Sequence, residues 1–417
     1  MIGRAALAIL MPLLLLGNSL AAAEAGITVI ASQVDVDFPN RAVFTVEAES
    51  SVDIVDARLC YHVNRMNYAE VVSEGWADFV PATTVEADWV WDMTNAGLPP
   101  GAEVTYWWVI EDADGNRVET PPETMHFDDS RFSWQSLTGS VPGGEAMTLS
   151  WYTGDNSFAQ ELMDTCEAGL DRLTQDIGAY LEQPAKIYVY ASTSDLRGAM
   201  VFSQEWTGGV AFIDFGIIAI SIPPSDIERG KKALVHELTH LVVRQATFSP
   251  YGQLPLWLDE GLATYNEGEL EPVLRSYLDE AILNDELISV RSLCSPFSAY
   301  PEKAYLSYAE SYSIVEYLLD DYGQSKMLGL LTLLKQGNTY DEALTELYGF
   351  DIDGLDNSWR ATLASDTVIA SKASSLHPAL MAALSASATG FATWGALVLK
   401  KRTRRRSSGA SVMQDKL

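Results

Sequence analysis

The chain has 417 residues, too long for one ordinary domain, so two folded units with appendages are expected. Its 47% apolar content excludes wholesale disorder, and 29 Gly with 17 Pro excludes a collagen-like or low-complexity chain. The net charge is −30, from 27 Lys and Arg against 57 Asp and Glu, and eight of the basic residues sit at the two ends, so the body is acidic enough to repel phosphate backbones and exclude nucleic-acid binding.

Residues 1–23 carry Arg4, an apolar run over 5–16, and small residues ending at Ala21, Ala22 and Ala23. A positive start, a short apolar core and a small-residue cleavage site predict a secretory signal peptide, with a retained membrane helix as the alternative. From 24 to 128 the pattern is β. Apolar and polar residues alternate through Ala42, Phe44 and Val46 and again over 52–59. Trp89, Val90 and Trp91 follow, and the run 104–110 leads into a turn at 112–116. Several short strands separated by turns predict an N-terminal all-β sandwich of immunoglobulin or fibronectin type. His62 and His126 fall there as ordinary strand or loop histidines. The cysteines Cys60, Cys166 and Cys294 form no CxxC pair and no disulfide framework.

The sequence changes character after Pro142, Gly143 and Gly144. A second unit over 129–365 reads as α+β. Phe158, Leu162, Cys166, Leu170, Leu173, Ile177 and Leu181 recur at steps of three or four and predict a helix over 157–181. Strands over 186–190 and 217–222 precede a helix-rich stretch that runs to about 365. Ser225, with Glu228 three residues later, predicts a capping box on the helix that begins near Asp226.

After a juxtamembrane linker over 366–378, residues 379–399 hold no charged side chain. At about 1.5 Å per residue that helix is roughly 31 Å long, the thickness of a bilayer core. Lys400, Lys401 and Arg402 follow at once, so the basic tail 400–417 is expected in the cytoplasm. The expected protein is held in the cell membrane by one C-terminal transmembrane helix, with its ectodomain extracellular or periplasmic. A buried core helix ending at a basic patch is the alternative.

The chemistry lies in His236, Glu237, Leu238, Thr239 and His240. On a helix, residues four apart share a face, so both imidazoles can reach one ion, while Glu237 lies about 100° away, able to approach a water beside that ion. Leu234, Leu238, Leu241 and Val242 form an apolar stripe that packing explains; the two histidines are left over. A catalytic zinc needs a third protein ligand. The remaining histidines, His62, His126 and His377, lie in the β unit or beside the membrane segment, so the third ligand is expected to be a carboxylate. Pro255, Leu256, Trp257 and Leu258 start a second helix that carries Asp259 and Glu260. About 100° apart, these two cannot both face the metal.

The two segments together resemble the gluzincin zinc metallopeptidases, in particular the peptidase MA-like and aminopeptidase N-like groups, which pair HExxH with a W-L-x-E-G-x-A segment. The resemblance covers roughly 150–365 and is specific over 236–263. It implies a zincin-like metallopeptidase domain in which Zn2+ is held by His236, His240 and Glu260, with Glu237 as general base. Two departures stand out. Nineteen residues separate His240 from Glu260 where the aminopeptidases usually have eighteen, which would promote Asp259, although the W-L-x-E-G-x-A frame favours Glu260. The Gly-x-Met-Glu-Asn strand that anchors a free substrate N-terminus has no counterpart before His236; Gly208, Gly209, Val210, Ala211 and Phe212 stand there, so obligate exopeptidase activity does not carry over.

The expected activity is zinc-dependent hydrolysis of peptide bonds in a peptide or protein substrate, as an endopeptidase, with Glu237 taking a proton from the attacking water. Relatives of this kind often supply a tyrosine from a later helix to the oxyanion. Tyr305, Tyr308 and Tyr312 share a helix face over about 302–322, and Tyr308 is the candidate. The strand over 217–222 is expected to pair with an extended substrate by strand addition. A catalytically inactive surface protein acting in binding or adhesion is the alternative from another class. An intramembrane protease is excluded by Arg229, Lys231, Lys232 and Arg244 around the motif.

Overall fold

A computed structural model of the chain describes residues 26–66, 69–95, 97–140, 146–200, 208–252 and 254–374. The expected signal peptide, the apolar segment 379–399 and the basic tail lie outside the described residues. Among the described residues no helix is long and apolar enough to cross a membrane. They fall into two compact units that meet in sequence at Ser130 and Arg131.

The first unit holds seven strands: β1 (Ile27–Asp37), β2 (Arg41–Val63), β3 (Ser73–Trp76), β4 (Ala82–Asp92), β5 (Ala102–Asp112), β6 (Arg117–Glu119) and β7 (Glu123–Phe127). Every pairing is antiparallel, and the long β2 is the axis. Its first half lies between β1 and β4; its second half lies between β3 and β5. The sequence reads as two stacked sheets, whereas the ladder runs unbroken through all seven strands. Register shifts between Glu49 and Asp56 explain the difference, because irregular pairing at that point bends one strand enough to serve both halves. Phe44, Val46, Ala48, Ile54, Leu59, Val104, Trp108 and Ile110 are fully buried along this path, the alternation expected of strands with one inward face.

The second unit is α+β. Its five strands are β8 (Gln135–Ser140), β9 (Ala146–Trp151), β10 (Ala185–Tyr190), β11 (Gly209–Phe212) and β12 (Ile217–Ser221), in the order β11-β12-β10-β9-β8. β9, β10 and β12 run parallel, while the edges β8 and β11 are antiparallel to their neighbours. The helices are α1 (Asn156–Arg172), α2 (Thr193–Gly198), α3 (Ile227–Thr247), α4 (Leu256–Asn266), α5 (Pro272–Asn284), α6 (Val290–Leu293), α7 (Pro301–Tyr322), α8 (Gln324–Lys335), α9 (Tyr340–Tyr348) and α10 (Ile352–Ser374). The last of these continues past 365, so the stretch read as a linker is helical as far as Ser374.

Local chemistry sets the ends of these helices. Asp155 caps α1 by accepting a hydrogen bond from the Phe158 N–H at 3.0 Å. The helix expected to reach 181 instead closes through a wider turn over Leu173–Ile177, where Gly178 takes a left-handed φ of 80°. Ser225 does not cap α3. Pro223 and Pro224 hold the chain in a short turn over Pro224–Asp226, Asp226 takes the cap position without a side-chain hydrogen bond, and Glu228 bonds Lys231 instead. The α3 stripe of Leu234, Leu238, Leu241 and Val242 is fully buried in one core with Ile187, Ile218 and Ile220 of the sheet and Trp257 and Leu258 of α4.

Candidate metal centre and active site

Two helices build the site. α3 presents His236 and His240 one turn apart, their rings 4.7 Å between centroids and nearly perpendicular. α4 is seated against α3 through buried polar contacts: Asn266 Nδ2 donates to Thr239 Oγ1 at 2.8 Å and to the Gly169 carbonyl at 3.3 Å. On its other side α4 meets α7 so closely that a Cβ on Gly261 would stand 2.5 Å from the Ser311 carbonyl oxygen. The glycine after Glu260 is there because another backbone occupies its space.

This seating carries Glu260 to both histidines. Its Oε2 lies 3.4 Å from His236 Nε2 and 3.6 Å from His240 Nε2, and the three donor atoms are all within 4.8 Å of one another. Among the described residues no other group of His, Cys, Asp and Glu has a metal-ligand arrangement. Glu260 Oε2 is buried and has no hydrogen-bond partner, although a buried carboxylate oxygen ordinarily has one. The spacing fits one small cation: three ligands about 2.0–2.1 Å from a tetrahedral centre stand about 3.4 Å apart.

Each histidine is held from behind. His236 Nδ1 donates to Glu267 Oε1 at 2.7 Å, and His240 Nδ1 donates to Asp259 Oδ1 at 2.9 Å. Burial favours the neutral His236 ring, yet Glu260, Glu267 and Glu237 together lift its pKa to about 10. His240 is likewise raised, burial being outweighed by Asp259. Without a cation, these carboxylates draw protons onto the rings; a cation at Nε2 displaces them. Asp259 is the reverse case. Burial pushes its carboxyl up, but His240 and Arg244 hold it below the usual range.

Glu237 projects beside the pair from the same helix. Burial raises its pKa above the ordinary carboxylate value, opposed by the two histidines and by a hydrogen bond from the Ala211 N–H. That donor belongs to β11. An ideal Cβ on Gly209 would lie 3.1 Å from the Glu237 side chain, so glycine leaves that carboxylate room beside the strand. The strand over 217–222 expected to receive substrate is β12, which is flanked by β11 and β10 and has no free edge. The edge beside Glu237 is β11.

Of the three tyrosines on α7, Tyr305 is exposed against Tyr277, and Tyr312 is buried with its hydroxyl on Glu316. Tyr308 lies at the site, its ring 6.5 Å from that of His236 and edge-on to Phe297 at 5.3 Å. Burial, with Glu260, Glu237 and Glu267 nearby, pushes its hydroxyl pKa well up, so it stays a neutral donor.

The two helices thus hold a His, His, carboxylate triplet with a second carboxylate beside it. Residues 165–365 match the Peptidase MA superfamily. No curated protein matches the chain. The chain is similar in structure to the wild-type OgpA of Akkermansia muciniphila, at 12% identity and a TM-score of 0.20, over 24% of this chain and 27% of that one. An M1 zinc metallopeptidase from Deinococcus radiodurans is similar at 11% identity and a TM-score of 0.33, over 81% of this chain and 94% of that one. Aminopeptidase A of Legionella pneumophila, in complex with aspartic acid, is similar at 12% identity and a TM-score of 0.39, over 81% and 49%. The chain spans about a quarter of the length of OgpA and half that of the Legionella enzyme.

Three functional neighbours escaped the sequence reading. Glu267 is seven residues after Glu260, hence on the same helical face, and Arg244 is one turn after His240. Those spacings were the available signals. β11 had one too: Gly208 to Phe212 stand where the aminopeptidases carry their substrate-anchoring strand.

Proposed function

We propose that this chain is a zinc-dependent peptidase in which His236, His240 and Glu260 hold the metal and Glu237 is the general base. The observation that carries this reading is the buried Glu260 Oε2 facing two imidazole nitrogens, 3.4 Å from His236 Nε2 and 3.6 Å from His240 Nε2. Zinc, when bound, supplies a Lewis-acid charge that polarises a carbonyl and makes a water acidic near neutral pH. Glu237, its affinity for a proton increased by burial, accepts the proton of the attacking water and returns it to the departing amine nitrogen. Tyr308, kept neutral, donates a hydrogen bond to the oxygen that gains negative charge.

Substrate enters along β11. The Ala211 N–H reaches Glu237 and β11 is an edge strand of the sheet, so the general base lies against that edge. An extended peptide lying there by strand addition crosses the site with chain on both sides of the scissile bond, the geometry of an endopeptidase. The Gly-x-Met-Glu-Asn strand that would restrict a peptide to its N-terminal residue is missing from this sequence. The reading extends to a protein exported by residues 1–23 and anchored by residues 379–399, with the peptidase outside.

The test is cleavage of casein by the full chain. Activity should vanish with a chelator and return with zinc, and Glu237→Gln should keep its zinc while losing turnover by at least about a hundredfold. Near-normal turnover of Glu237→Gln would remove the general-base assignment.

A further inference from the structure

Behind His240 stand two residues, one from each helix. Asp259 Oδ1 accepts the His240 Nδ1–H at 2.9 Å, while its Oδ2 accepts from Arg244 Nε at 3.0 Å and from Arg244 Nη2 at 2.9 Å. Asp259 is only 4% exposed. A carboxylate buried that deeply is stable only when paired, and here one oxygen serves the ring and the other a guanidinium fork.

From this arrangement we propose that Asp259, clamped by Arg244, is the positioning residue of the metal centre. It fixes His240 in the tautomer and rotation that aim Nε2 at the metal. The inference rests on the metal assignment above and goes beyond it, since Asp259 sits in sequence beside Glu260 and its spacing from His240 makes it a rival ligand. Geometry separates the two roles. Glu260 Oε2 faces the Nε2 atoms, whereas both Asp259 oxygens are engaged and lie on the Nδ1 side of His240. A ring held through Nδ1–H cannot swivel, and its Nε2 lone pair is obliged to face forward; such partners raise ligand basicity as well as order. His240 and Arg244 are one turn apart on α3, so a single residue of α4 both orients the ligand and ties the two helices at the level of the site. Glu267 plays the matching part for His236 at 2.7 Å.

The test is zinc affinity of the full chain, measured by competition with a chelating dye, alongside thermal unfolding with and without zinc. Asp259→Ala is expected to weaken zinc binding about 10- to 100-fold, the usual consequence of losing such a partner, while Glu260→Ala loses zinc altogether. Asp259→Asn still offers an oxygen to the Nδ1–H and should recover most of the affinity, although it cannot pair with Arg244. Arg244→Ala keeps the carboxylate on the ring and loses only the clamp, so it should fall between the wild type and Asp259→Ala. The deficit of each variant should be larger in the zinc-bound than in the zinc-free unfolding temperature, which a purely structural ion pair would lower equally. Asp259→Ala and Arg244→Ala binding zinc within twofold of the wild type would overturn the proposal, and so would loss of zinc in Asp259→Ala with retention in Glu260→Ala. Should Asp259→Ala fail to fold, Asp259→Asn and Arg244→Ala carry the same comparison. A wild-type chain that takes up no zinc sinks the metal assignment itself, an outcome distinct from either of these.

Discussion

Gly261→Ala tests how the metal site is assembled. The added methyl would stand 2.5 Å from the Ser311 carbonyl oxygen and 2.8 Å from Val315 Cγ2, against an ordinary contact of about 3.4 Å. The first of these is backbone in the middle of α7 and cannot swing aside, so α4 must retreat by about 0.9 Å. Overpacking typically costs about 1–3 kcal/mol and occasionally more, a clash with fixed backbone standing at the upper end, and the better helix propensity of alanine returns about 1. The net loss of about 2 kcal/mol corresponds to a fall of roughly 4–8 °C in the unfolding of a unit this size. Glu260 is the preceding residue, and a shift near 0.9 Å exceeds the ~0.5 Å tolerance of a preorganised constellation, so zinc affinity should fall too. Gly329→Ala is the control: it is also inside a helix, but its Cβ meets only the end of the Leu347 side chain at 3.1 Å. Circular dichroism melts of metal-free protein should show Gly261→Ala lowered and Gly329→Ala unchanged or raised. Equal melting temperatures for the two variants would refute the close-approach argument.

Tyr308→Phe should lower kcat by about 100- to 1,000-fold with little change in KM, as expected for loss of one oxyanion donor, and steady-state kinetics on a peptide substrate would read it; an unchanged kcat removes Tyr308 from the chemistry. Glu310 offers a pH test remote from the candidate metal centre. It is fully buried on α7, its Oε1 accepts the Ile288 N–H at 2.9 Å, its Oε2 has no partner, and burial pushes its pKa to about 8 despite the opposing Arg360. Because the folded value lies above the unfolded one near 4.5, its contribution is complete below about pH 4.5 and is lost as pH rises through 8, a decline of roughly 4–5 kcal/mol. Urea unfolding from pH 5 to 8.5 should show that slope in the wild type and a flatter one in Glu310→Gln; identical slopes would show that the carboxyl does not titrate this way.

The pairing of His236 and His240 was legible because residues four apart share one helical face whatever surrounds them, and the approach of Glu260 because the apolar Trp257 and Leu258 that precede it had to dock inward. Both are fully buried, and the carboxylate follows. What sequence could not convey was which strand is exposed at the edge. The apolar run at β12 reads the same at an edge or in the middle, and its central place is set by the pairing with β10, whose partners Lys186 and Ile217 lie far apart in sequence, while β11 folds back on it as a short hairpin. Ser225 had the residue types of a capping box but stood one residue before the true cap, displaced by the two prolines. Pro142, Gly143 and Gly144 read as a change of character, yet they fall between β8 and β9, whose pairing from Ser140 to Ala146 belongs to the second unit's sheet. In the first unit the alternation along β2 was visible, while the bend that joins its two halves depends on register shifts that no periodicity announces.

Metal content of the purified full chain tests the central claim most directly. Wild type and Asp259→Asn should each carry close to one zinc per chain by elemental analysis, and His240→Ala and Glu260→Ala should carry none. A wild-type chain without zinc after equilibration with it, or a Glu260→Ala chain still holding a full equivalent, would contradict the account.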